Sequence, residues 1–131
     1  IGGYKYDKKT KTFPIFINYD KQDNISDTTK YEDHFVAENR LIAISKSGRS
    51  MDSEDVQNFL KATERGIDVQ LFVRKNKDDK ISKEFYYLGR VIATGNAKQF
   101  VMPNTDKTAV EIEWELETPV REDIYQYIVN E

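Results

Sequence analysis

AVEIEWELE, residues 109–117, alternates without a break. Val110, Ile112, Trp114 and Leu116 hold one parity, and Glu111, Glu113, Glu115 and Glu117 hold the other. Side chains on a strand point to opposite faces with a period of two, so the segment reads as a strand with one buried and one solvated face. Working outward, IDVQLFVRK (67–75) repeats the pattern with Ile67, Val69, Leu71 and Val73 on one face. FPIFINY (13–19) alternates too, with Pro14 near its start, where a missing N–H is tolerated. Leu41 to Ile44 reads as a short buried strand and FYYLGRVIATG (85–95) as another. NKDDK (76–80) makes the turn before it, and KQDNISDTT (21–29) is a polar loop.

Two helices flank these strands. Val56, Phe59 and Leu60 have i, i+3, i+4 spacing after Asp52 or Ser53 as a cap, and Gly66 ends the run. Thr118 is expected to cap a second helix, with Pro119 as its first residue and an apolar stripe of Val120, Ile124, Tyr127 and Ile128. Strands of unequal length with peripheral helices give an α+β class, a small curved or closed β-barrel. At 131 residues with no repeat and no low-complexity linker, one domain spanning 1–131 is the economical reading. The chain opens IGGYKYDKK without a methionine, and we read it as a piece of something longer.

Composition narrows the function. A net charge of −3 argues against non-specific coating of nucleic acid, but charge is unevenly placed. Up to Lys21 there are five lysines against two aspartates, whereas Val110–Glu117 carries four glutamates and no base. The absence of cysteine removes disulfides, thiolate nucleophiles and most zinc sites, and it is compatible with a cytoplasmic protein. No apolar run approaches the roughly 20 residues of a membrane helix. No metal or other cofactor is expected. His34 is the sole histidine and reads as a half-exposed strand-edge residue; IGGYK lacks the spacing of a phosphate-cradling loop. The glutamate row is one solvated face rather than a catalytic pair. Trp114 is assigned to the core, and of adjacent Tyr86 and Tyr87 one is expected in the core and one at the surface or a site. Nothing points to catalysis by this chain.

One stretch looks chemical rather than structural. TTKYEDHF (28–35) is followed by SKSGRSMDS (45–53). If extended, Tyr31, Asp33 and Phe35 share a face, two rings around a carboxylate, with Glu32 and His34 on the other. Recognition of a base rotated out of a duplex needs aromatic faces and an acceptor for an exocyclic amine. The pocket candidates are Tyr31, Asp33, Phe35 and Glu32, with Tyr19 as a further stacker. Phosphates need donors, and Ser45, Lys46, Ser47, Arg49 and Ser50 supply them, with Lys5, Lys8 and Lys9 in support. Gly48 gives that loop conformations other residues resist. On composition alone the residues favour the plainer reading, that Tyr31 and Phe35 are core and the loop a polar connection leading into the helix.

GGYKYDKKTKTFPIFINYDK, ISDTTKYEDHF, SKSGRSMDSEDVQ, LFVRK, FYYLGRV and ETPVREDIYQY, in this order and spacing, resemble a bacterial domain formerly of unknown function. It stands at the C-terminus of superfamily 2 helicases, notably in type IV, modification-dependent restriction enzymes of the SauUSI type. The resemblance implies a target-recognition module for 5-methylcytosine or 5-hydroxymethylcytosine in double-stranded DNA. It also implies an SRA/PUA-like barrel, and nuclease and helicase domains in the same protein as partners. No pocket residue is carried over from it. Two other readings stay open: a protein-interaction module docking those domains through the acidic face, and a reader of unmodified DNA or RNA.

Overall fold

The computed structural model describes residues 1, 3–19, 32–75 and 84–130. The expectations for Tyr31, the loop at 21–29 and the turn at 76–80 lie outside the described residues. Seven strands appear in chain order: β1 (Gly3–Tyr4), β2 (Thr12–Tyr19), β3 (His34–Ala37), β4 (Arg40–Ile44), β5 (Asp68–Lys75), β6 (Tyr86–Val101) and β7 (Thr108–Leu116). They form one mixed sheet ordered β1-β2-β5-β6-β7-β4-β3, in which only β2 and β5 run parallel. A parallel pair needs a crossover, and here it carries β3, β4 and two helices.

The alternation predicts the core well. Phe13, Ile15, Ile17 and Tyr19 of β2, Val69, Leu71 and Val73 of β5, and Val110, Ile112, Trp114 and Leu116 of β7 are all buried. Trp114 meets the Phe59 ring edge-on at 5.4 Å. β6 is longer than expected, running on to Val101. It breaks register at Leu71/Phe72 against β5 and between Ala93 and Ala97 against β7, with Gly95 at φ 103° inside the second break. Such bulges bend a strand and increase its twist, and they let β6 serve β5 with its first part and β7 with its second. The sheet therefore curls. It is curved but not closed: β1 and β3 remain edges, yet the Lys46 N–H after β4 donates to the Tyr4 hydroxyl of β1 at 3.2 Å. Tyr86 and Tyr87 face opposite sides as a strand requires, but neither is core: Tyr86 rests on Tyr127 and Tyr87 on Phe72, and both stay exposed.

The first expected helix is two, α1 (Glu54–Leu60) and α2 (Ala62–Arg65), with Lys61 between them. Ser53 occupies the cap position, but its hydroxyl accepts the Ser50 N–H and closes a tight turn instead. Gly66 ends α2 at φ 69°, with the Ile67 N–H on the Ala62 carbonyl at 2.8 Å. That is the left-handed C-terminal cap that glycine favours. A Cβ there would meet only Lys11 Nζ at 3.8 Å, so Gly66→Ala is strained by backbone conformation alone. It should destabilise the fold by about 1 kcal/mol with an unchanged denaturant slope in urea unfolding.

The C-terminal helix, α3 (Glu122–Val129), starts later than Thr118-Pro119 suggested. Val120 is buried and its N–H donates to the Glu38 carbonyl at 2.9 Å, which ties the segment before α3 to the β3–β4 turn. Ile128 is buried and Ile124 half-buried as the stripe predicted, while Tyr127 is 36% exposed. Among the described residues no helix is long and apolar enough to cross a membrane.

Candidate functional site

The loop after β4 is sewn onto the start of β7. The Ser45 N–H donates to the Val110 carbonyl, the Val110 N–H to Ser45 Oγ, the Gly48 N–H to the Thr108 carbonyl and Thr108 Oγ1 to the Arg49 carbonyl, all at 2.7–2.9 Å. Gly48 sits at φ 85°, as the tight path of the loop requires. Ser45 is thus corrected: it is buried and its hydroxyl is used internally, so it does not face phosphate. Ser47 is exposed and Ser50 half-exposed.

This fixed loop meets the N-terminal strand. Tyr4 Oη donates to Asp55 Oδ2 at 2.5 Å, and Arg49 Nε donates to the same oxygen at 2.8 Å. Lys46 Nζ donates to the Tyr4 carbonyl and lies 4.4 Å over the Tyr4 ring. Burial, reinforced by the carboxylate of Asp55, pushes the Tyr4 hydroxyl far above its ordinary range. Burial would also raise Asp55, but the Tyr4 hydroxyl and the Arg49 guanidinium outweigh it and hold the carboxyl below its usual value. The network floors a cleft of about 370 Å³. Its lining brings Lys5 and Lys8 from the N-terminal stretch to Lys46 and Arg49 from the loop, beside Tyr6, Glu54 and Asn58. Lys9 borders an adjoining open hollow shared with Lys5, Tyr6 and Lys8. Five of the expected phosphate residues thus occupy one side of the molecule.

The expected base pocket has a different character. Tyr19 and Phe35 are buried and stack on each other at 5.7 Å, with Tyr125 against the Phe35 edge at 5.6 Å. The Tyr19 hydroxyl accepts the Phe35 N–H at 3.2 Å. Asp33 accepts the Ile44 N–H at 2.7 Å. These groups lock β3 to β2 and β4. As they stand, their faces and lone pairs serve the fold, and a ligand would have to part the Tyr19–Phe35 stack to use them. Glu32 precedes β3 half-exposed, its carbonyl 2.7 Å from His34 Nδ1. Tyr6, Asn58 and the Tyr4–Asp55 pair were not anticipated. The alternation of Tyr4 and Tyr6 around Lys5 was their visible signal.

The glutamate row of β7 faces cations across the neighbouring strands, with Arg40 the register partner of Glu115 and Lys98 that of Glu111. Glu113, in the middle of the glutamate row, accepts from Thr94 Oγ1 at 2.7 Å and Asn96 Nδ2 at 2.8 Å, and lies 3.6 Å from Arg40. Those donors hold its carboxyl below the ordinary range. Among the described residues no three acidic or histidine side chains gather to hold a metal ion.

Comparison with solved structures places the fold. The SRA domain of SUVH5 in complex with fully methylated CG DNA superposes with a TM-score of 0.52 at 10% identity, over 91% of this chain and 76% of that one. The same domain with methylated CHH DNA gives 0.51 with the same identity and coverage. Arabidopsis thaliana SUVH6 in complex with SAM gives 0.50 at 10% identity, over 91% of this chain and 22% of that one. The architecture is therefore that of the SRA, PUA-like domains. No curated protein matches the sequence. The profile of the family described as "Domain of unknown function (DUF3427)" matches residues 1–128, nearly the whole of the molecule, and the chain belongs to that family.

Proposed function

We propose that this is a non-catalytic DNA-binding module that recognises cytosine carrying a 5-methyl or 5-hydroxymethyl group, rotated out of the duplex. In this reading it directs a larger modification-dependent nuclease, with its helicase motor, to modified DNA. The observation that carries it is the convergence of Lys5, Lys8, Lys46 and Arg49, from two distant segments, on a cleft beside an aromatic ring. Two SRA structures of the same fold are complexes with methylated DNA, which supports the choice of ligand. The lysines and Arg49 take phosphates, with Ser47, Ser50 and Lys9 at the margin. The Tyr6 ring offers a stacking face, and Glu54 or Asn58 an acceptor for the exocyclic amine of cytosine. Taking the base here leaves the Tyr19–Phe35 stack intact.

The test is binding to two otherwise identical short duplexes, one with a central 5-methylcytosine, at several salt concentrations. The methylated duplex should bind more tightly, and affinity should fall steeply with salt as counterions are released. Lys46→Ala with Arg49→Ala should weaken both duplexes roughly tenfold, because phosphate contacts carry no sequence information. Tyr6→Ala should weaken the methylated duplex selectively, also roughly tenfold. If Asp33→Ala, with its fold intact, abolishes the preference and Tyr6→Ala does not, the base belongs against residues 33–35. Binding to neither duplex shifts the weight to docking of protein partners on the acidic face of β7.

A further inference from the structure

The outer face of the sheet carries an aromatic row that the cleft does not use. Phe16 and Phe72 are register partners on β2 and β5, and Tyr87 is the partner of Phe72 on β6. They alternate with buried Ile15, Ile17, Leu71 and Val73, so they stand on the face away from the core. Their ring centroids lie 4.9 Å apart for Phe16–Phe72 and 5.2 Å for Phe72–Tyr87, and Phe85 adds a fourth ring 5.2 Å from Phe16. Tyr87 is 59% exposed, and the other three are half-buried rather than covered. A soluble sheet face is ordinarily polar, so four clustered rings ask for a ligand.

The surroundings say which kind. The Arg74 guanidinium lies 4.7 Å over the Phe85 ring. In the next register row Pro14 and Gln70 lie side by side, and Pro14 lines the hollow that holds Lys5, Lys8 and Lys9. Two residues of strand, about 7 Å, separate that lysine hollow from Phe16. Rings set across adjacent strands with cations along the border match what unpaired bases and their phosphates require: stacking faces that accept any base, and a basic track for the backbone. A protein partner would also accept aromatic rings, but it gives the bordering lysines nothing to do.

We propose that this outer row, Phe16–Phe72–Tyr87 with Phe85, is a stacking surface for two or three bases of single-stranded nucleic acid, whose phosphates run past Arg74 toward Lys5, Lys8 and Lys9. The rings lie outside the cleft, but Lys5 and Lys8 are shared with it and Lys9 adjoins it, so Arg49 and the ring variants are what tell the two surfaces apart. The probe is a fluorescein-labelled, unmodified oligothymidylate of about ten nucleotides, within the span of known single-strand sites. The intact chain should bind it with strong salt dependence. Tyr87→Ala and Phe85→Ala should each weaken it roughly tenfold while leaving methylated-duplex binding unchanged. Arg49→Ala should do the reverse. Both variants are at exposed or half-exposed rings, and circular dichroism verifies that they fold. Absence of oligothymidylate binding by the wild type, or equal binding by both ring variants, would overturn the proposal. So would loss of oligothymidylate binding in Arg49→Ala, which returns the strand to the cleft. Self-association that Tyr87→Ala abolishes, without oligonucleotide binding, would instead make the row a protein interface.

Discussion

Trp114→Ala should destabilise the fold by about 3–5 kcal/mol, the largest effect of any single truncation here. The indole is fully buried, paired in register with Leu41 on one side and Ala93 on the other, and meets Phe59 edge-on. It is where the middle of the sheet touches α1. Its removal strips away the transfer free energy of the ring and leaves a void that Phe59, itself held between Tyr4 and Phe13, is poorly placed to fill. Small domains are stable by about 5–15 kcal/mol, so the variant should sit near its unfolding midpoint in low urea. Trp114→Phe should be much milder. The Nε1–H of Trp114 has no acceptor among the described residues, so phenylalanine loses volume but no hydrogen bond. Equilibrium unfolding by circular dichroism measures both. In the wild type the sole tryptophan gives an independent fluorescence transition that should coincide. A loss for Trp114→Phe as large as that for Trp114→Ala would mean the N–H has a partner, such as a buried water, and that packing is not the main term.

The strands that built this core were legible because each has one wet face and one dry face. Val110-Ile112-Trp114-Leu116 and Val69-Leu71-Val73 are visible in the letters and buried in the structure. The second half of β6 was not, because Asn96, Lys98 and Gln99 are exposed and a ladder with no fully buried residue beyond Val91 leaves no period to read. Gly95 shifts the parity as well. Thr118-Pro119 carries a true helix-start signal, which the tertiary bond from Val120 to Glu38 overrides. The basic cluster was legible. Lysines and an arginine near a glycine loop do converge, as composition suggested. A contiguous stretch such as 31–35 can be read directly from the letters, whereas Tyr4 finds Asp55 across 51 residues of chain. Sequence proximity cannot reveal a pair that only the curl of the sheet brings together.

That pair supports the second large effect. Asp55→Ala should cost about 2–4 kcal/mol of stability while leaving DNA affinity undiminished or raised. The Asp55 carboxylate accepts the Tyr4 hydroxyl, Arg49 Nε and its neighbouring Val56 N–H, and its side chain is 16% exposed. Without it, the buried hydroxyl and the first turn of α1 lose their acceptor. The contribution has a definite pH dependence. Because the carboxyl of Asp55 lies below its ordinary range in the fold, its contribution is fully present above the unfolded value of about 3.9 and is lost as pH falls through the folded value. The wild type should therefore lose stability on acidification below about pH 4 more steeply than Asp55→Ala, and the gap between the two should narrow. DNA binding should move the other way. Deleting one negative charge and releasing Arg49 from its partner leaves the cleft more cationic, so the salt slope for an unmodified duplex should steepen by up to about one counterion. Anisotropy titrations across salt, set beside urea unfolding across pH, separate the two. A folded Asp55→Ala that binds DNA more weakly would show that the carboxylate touches the nucleic acid, and that Tyr4 and Arg49 hold it for the ligand rather than for the fold.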